Sequence, residues 1–277
     1  MESFLSVINV FLPVLYGGLV AIYALLLARD IPWTRRAGPA LLAATICVHV
    51  GYVILEATVA GRHPVANKFE LFTLVAATIS VSYAWVEWRR KNPYTGFFPL
   101  FLAFLLQMCS SIGRVPRYEI PEILKSPLFA WHSGAAAVAV ASLSVGAVYG
   151  ILFIAMYRLL KRGFVGEFAE RMPSLDVLSA MSLHAVEVGF LALTLAVGLG
   201  DIWVMRAPDA SMADPKVWGT FLIWGIYAAC LFGRFVGRWG GARLVALNLT
   251  GYGLLVFSML AVGRIFESFH RFPGAGK

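Results

Sequence analysis

Read for apolar and polar positions alone, the chain is a succession of long apolar runs joined by short polar connections. The runs lie at Leu5–Ala28, Ala37–Ala60, Phe69–Trp88, Phe97–Ile112, Leu128–Tyr157, Ser179–Leu199, Val217–Val236 and Leu244–Val262. A helix crossing a bilayer needs about 20 apolar residues. Each run is apolar all round, whereas a helix on a soluble domain carries a single apolar stripe. The pattern predicts an all-α integral membrane protein, a bundle of about eight transmembrane helices with sequence neighbours antiparallel. No linker, low-complexity tract or repeat divides it, so the expectation is a single transmembrane domain over residues 1–277. The first run follows an acidic residue, Glu2, where a signal peptide would be basic, and reads as a retained helix.

Composition agrees. Hydrophobic residues make up 60% of the chain and charged residues only 14%, with mean hydropathy +0.77; soluble domains are near half apolar and a quarter charged. The net charge of +8 is therefore carried by loops and does not indicate nucleic acid. Thirteen of the 23 Lys and Arg residues fall in one set of connections, in clusters such as Arg89, Arg90 and Lys91. The bias puts that set inside and both termini on the outer (periplasmic or extracellular) face. The expected location is the bacterial inner (cytoplasmic) membrane. Cys47, Cys109 and Cys230 are far apart, which excludes a C-x-x-C dithiol and a C-x-x-C-H haem attachment site.

The histidines carry the chemistry, because neutral imidazole is the common ligand of haem iron. His132 stands at the outer end of the fifth crossing and His270 just past the outer end of the eighth. Two imidazoles at one height on different helices suit bis-histidine ligation, although each also reads as an interfacial histidine beside aromatics. His63 occupies the outward loop GRHPVANKFE and on its own reads as a polar loop residue. His49 lies near the middle of the second crossing, where an ionisable group is functional by default. His184 precedes Glu187 by i, i+3, a spacing for a local hydrogen bond. His49, His184 and Glu187 make up a second possible haem or polar site. Glu56 and Glu70 are expected to pair with Arg62 and Lys68. Trp203, Trp218 and Trp224 flank Asp214-Pro215-Lys216, which has the form of an N-cap followed by Pro in the first turn.

Together these residues resemble the cytochrome c assembly family of membrane haem-handling proteins, which includes CcsA/ResC, CcmC and HemX-like members. GRHPVANKFE is similar to that family's "GH-x-P-x-s-N-x-y-E" segment at His63, Pro64, Asn67 and Glu70. His132 takes the place of its outward histidine before the tryptophan-rich loop. DPKVWGTFLIWGIYAACLFGR resembles the segment leaving that loop, and ESFHRF puts His270 at the second outward histidine. The chain departs from CcsA at RAPDASMA, where further tryptophans are absent, at Val217 after the lysine, and at Phe232, where CcsA has a histidine. In these features it is closer to HemX-like members.

The resemblance implies non-covalent b-type haem, with iron held by His132 and His270 and the Trp203–Trp224 segment shaping the cleft. Arg62, Lys68, Lys216 or Arg271 would meet the propionates. It implies delivery or export of haem at the outer face for c-type cytochrome biogenesis, with apocytochrome c and a CcsB/ResB-like membrane protein as partners. No catalytic residue is assigned. The chain would be at most part of a haem-attachment system, because nothing in it keeps apocytochrome thiols reduced. Two other readings stand beside it: a HemX-like regulator of haem biosynthesis, and a structural subunit of a larger complex with a degenerate haem site.

Overall fold

The computed structural model describes residues 1–65, 67–114, 125–163, 166–205 and 214–262, with side chains to residue 260. Helices account for all the regular structure among them. They are α1 (Glu2–Arg29), α2 (Thr34–Ala60), α3 (Lys68–Arg90), α4 (Phe97–Ile112), α5 (Pro127–Lys161), the short α6 (Glu167–Arg171), α7 (Leu175–Val204), α8 (Pro215–Phe235) and α9 (Gly241–Phe257), with a 3₁₀ turn at Pro93–Thr95. All but α6 account for the eight apolar segments long enough to cross a membrane. The chain is a multi-pass membrane protein. Its helices outrun several of the apolar runs: α5 continues to Lys161 and α7 begins at Leu175. Polar residues at the bilayer interface can hold helical backbone as well as apolar ones do, so a run of hydrophobicity marks the lipid-buried part only.

The chain forms two compact units, Met1–Tyr118 with Met156–Ser174, and Glu119–Ala155 with Leu175–Lys277. In the first, α1 packs on α2 and α4, and α3 packs on the same two helices. Leu5, Leu12 and Tyr52 form a fully enclosed apolar cluster there. At the far end Tyr23 and Tyr83 meet edge to face at 5.7 Å, and Tyr23 OH donates to Glu87 Oε2 over 2.6 Å. A carboxylate that would be costly beside lipid is thereby given a donor.

In the second unit, α7 packs on α8 and α9, and α8 packs on α9. The first part of α5 joins them through small residues. A Cβ at Gly146 would lie 3.2 Å from the Ser182 carbonyl, and one at Gly189 would lie 2.6 Å from Leu143 Cδ2. Glycine lets helix backbones approach closely where lipid offers no competing hydrophobic drive. Leu143, Val186, Leu193, Ile223, Tyr227 and Leu255 fill the core. The α9 helix runs on into a turn of π-helix, Ser258–Val262, a distortion frequent at functional sites.

Candidate functional site

At one end of the second unit, α5 and α7 meet around His132. Ser126 Oγ accepts from Phe129 N at 3.2 Å, and Pro127 occupies the first turn, the Ser-then-Pro arrangement that starts a helix cleanly. His132 follows in the next turn, half-buried. Its Nδ1 lies 2.8 Å from the Ala196 carbonyl oxygen on α7. A carbonyl can only accept, so Nδ1 carries the proton and donates it. In a neutral imidazole Nε2 then holds the lone pair, the form that ligates a metal. One turn beyond Ala196, a Cβ on Gly200 would lie 2.9 Å from both Cε1 and Nδ1 of the ring.

A turn away on each helix, Phe129 and Trp203 meet with ring centroids 5.7 Å apart, and Trp203 is buried. Among the described residues, Lys216 and Asp201 are charged groups near the His132 ring. Asp214 Oδ1 accepts from Lys216 N at 2.7 Å and Pro215 takes the first helical position of α8, as the Asp-Pro-Lys sequence predicts. Asp214 is thus committed to capping the helix. The other two tryptophans that flank Asp-Pro-Lys stand on α8. Trp218 is 66% exposed, while Trp224 sits deeper on α8, donates Nε1–H to Thr194 Oγ1 at 2.9 Å and packs on Phe190 at 5.4 Å. His270 and Arg271 lie outside the described residues.

The loop carrying His63 belongs to the first unit. Arg62 makes a two-pronged pair with Glu70, at 2.8 Å to each carboxylate oxygen, and also donates to the His63 carbonyl at 3.0 Å. Asn67 Oδ1 caps α3 by accepting from Phe69 N and Glu70 N, each at 2.9 Å, while its amide donates to Glu70 Oε1 at 3.0 Å. The backbone is clamped and the His63 side chain is exposed. Glu70 pairs with Arg62 as expected. Glu56 instead faces Arg114 at 3.8 Å, and Lys68 lies over the Phe69 ring at 5.1 Å. Glu56, Asn67, Glu70 and Arg114 line a polar cavity with Asn9 and Tyr52. Arg62, already engaged by Glu70, is a poor propionate partner.

His49 is fully enclosed in the first unit. Its Nδ1 is 2.9 Å from Tyr16 OH, which is 2.8 Å from Ser80 Oγ, and Ser80 donates to the Ala76 carbonyl at 2.9 Å. The assignment that leaves no buried N–H unsatisfied has Tyr16 donating to Ser80 and Nδ1–H donating to Tyr16. Nε2 and the Thr45 hydroxyl one turn away have no hydrogen-bond partner among the described residues. His184 lies in the second unit, exposed on α7. Glu187, which i, i+3 spacing puts within reach of His184, lies with Oε1 3.1 Å from Arg234 Nε on α8. Spacing within one helix gave no access to a cation on another. Among the described residues no group of three or more His, Cys, Asp and Glu side chains comes together as a metal site.

Ala196, Gly200 and Asp201 are the site residues that sequence reasoning missed. The glycine pair Gly198 and Gly200 next to Asp201 at the end of an apolar run was the available signal, since glycine costs a helix about 1 kcal/mol relative to alanine.

A family model, Cytochrome C assembly protein, matches residues 33–270. The chain is 24% identical to cytochrome c biogenesis protein CcsA of Prochlorococcus marinus (strain MIT 9303), over 94% of this chain and 93% of that one. It is 26% identical to the protein of the same name from Chlamydomonas reinhardtii, over 76% of this chain and 61% of that one. A second Prochlorococcus marinus CcsA (strain MIT 9312) is 22% identical over 78% and 77%.

Proposed function

The chain belongs to the cytochrome c assembly family, and on that premise we propose that it handles haem for c-type cytochrome biogenesis at the outer face of a bacterial inner membrane. His132 and His270 are the residues that would hold the iron, without covalent attachment of haem to the protein. The observation that carries this reading is the 2.8 Å contact from His132 Nδ1 to the Ala196 carbonyl. It presets the ring with Nε2 available, as second-shell acceptors do for metal-bound histidine.

The donor set suits a porphyrin. Phe129 and Trp203 give apolar surface beside His132, and among the described residues Lys216 is a cation near that ring. This reading gives Lys216 to the propionates. Haem supplies the iron and the reactive vinyl groups. The protein contributes orientation of His132, a cation at the propionate edge and exclusion of water by apolar walls. His63, presented from the clamped loop of the first unit, is a further imidazole for haem. Apocytochrome c and a CcsB/ResB-like membrane protein complete the assembly, because attachment needs reduced thiols that this chain does not protect.

Titration of the purified protein with haemin tests the reading. Saturable uptake by wild type, weakened at least about tenfold by His132→Ala, supports it; wild-type protein that takes up no haemin rejects it.

One observation favours a second reading, a HemX-like regulator of haem synthesis. RAPDASMA stands where CcsA has tryptophans. Gene deletion separates the two. Missing c-type cytochromes indicate assembly, and altered haem-precursor synthesis with intact cytochromes indicates regulation.

A further inference from the structure

The ring of His132 rests against α7 at Gly200, which has no side chain. Ala196 and Gly200 are four apart, so the Ala196 carbonyl is the acceptor of the helical bond from Gly200 N–H, and the same oxygen also takes His132 Nδ1–H at 2.8 Å. To reach it, the imidazole crosses the space where a side chain of residue 200 would begin. A Cβ there would stand 2.9 Å from Cε1 and from Nδ1, inside van der Waals contact and against a rigid ring. Two residues earlier on the same helix, a Cβ on Gly198 would meet nothing within 4 Å. Alanine is the better helix former at both positions, so helical preference explains neither glycine. Contact with the imidazole explains only Gly200.

We infer that Gly200 and the Ala196 carbonyl form a seat that fixes the tautomer and tilt of His132, which makes Gly200 a positioning residue for that imidazole. The geometry of the seat stands on its own; only the identity of its ligand as haem iron rests on the function proposed above. An imidazole whose Nδ1–H is held by a carbonyl offers a more basic Nε2 to a metal, and losing such an outer partner typically weakens metal binding 10- to 100-fold. With alanine at 200 the ring must swing off the carbonyl, and Nδ1–H loses its acceptor.

The test uses the full-length protein with ¹⁵N-labelled histidine, free of haem, at about pH 8, where imidazole is neutral. The His132 resonances are identified by their loss in His132→Ala. Wild type and Gly198→Ala should show the Nδ1–H tautomer, and Gly200→Ala should show a shift toward Nε2–H or a mixture. Haemin titration of the same samples should find Gly200→Ala at least about tenfold weaker than wild type, with Gly198→Ala unchanged. An Nδ1–H signal retained in Gly200→Ala, or an Nε2–H signal in wild type, overturns the seat. The wild-type spectrum decides the matter by itself if Gly200→Ala does not fold. Wild type that binds no haemin yet shows the tautomer and its loss in Gly200→Ala leaves the seat standing and removes the haem reading.

Discussion

Asn248 on α9 donates Nδ2–H to Ser182 Oγ on α7 over 2.9 Å, and Ser182 passes its own proton to the Gly146 carbonyl on α5, also at 2.9 Å. A single chain of donors therefore ties three crossings at a level where lipid offers no substitute. Asn248 is fully buried, so removing either end strands a polar group. Asn248→Ala and Ser182→Ala should each destabilise the protein in detergent by about 1–2 kcal/mol. The double variant should cost clearly less than the sum, because each single change already breaks the shared bond. Additive losses in thermal unfolding would show that the two side chains act separately.

The Arg62–Glu70 pair is the clamp of the His63 loop, and its side chains are only 14% and 15% exposed. Arg62→Ala leaves a largely buried carboxylate without its cation and should cost about 1–3 kcal/mol, less than a fully buried pair because some solvent remains. Arg62→Ala combined with Glu70→Gln should recover part of that loss. Asn67→Ala removes the α3 cap and should cost about 1 kcal/mol. Equal stability of Arg62→Ala and wild type would contradict the clamp.

Asp214 caps α8 through Lys216 N, and Asn serves an N-cap as well as Asp does. Asp214→Asn should keep stability and haemin uptake near wild type, while Asp214→Ala should lose about 1 kcal/mol and loosen the start of α8 beside Lys216. Thermal unfolding of the two variants separates capping from charge. A large defect in Asp214→Asn would mean that the carboxylate's charge matters directly.

Much of this was legible in the sequence. Phe97–Ile112 is both the fourth apolar run and the span of α4, and Asp214-Pro215 announces its own cap. What escaped were relations between distant segments. The i, i+3 spacing of His184 and Glu187 is all that one helix displays, whereas the cation beside Glu187, Arg234, comes from α8. Asn248 and Ser182 are polar residues within apolar crossings, a signal for interhelical bonding that names neither partner. The Gly200 seat depends on which face of α7 meets α5, and hydropathy that is uniform round a helix does not encode a face.

Outside the crossings, Asp30 accepts from Arg35 Nε at 2.7 Å, and that bond holds its carboxyl below the ordinary value of 3.8. A depressed carboxyl contributes stability above its unfolded pKa and loses it as the pH falls through the folded value. The stability difference between wild type and Asp30→Asn should therefore be constant from about pH 5 to 8 and shrink on acidification below about pH 4. A difference that changes only near neutrality would assign the effect to another group.

Whether one iron is gripped by both His132 and His270 is read from the visible and electron paramagnetic resonance spectra of the haemin-loaded full-length protein. Wild type should show six-coordinate low-spin iron, converted to high-spin by His132→Ala and by His270→Ala alike. High-spin iron in wild type, or a low-spin spectrum that survives both substitutions, would contradict it.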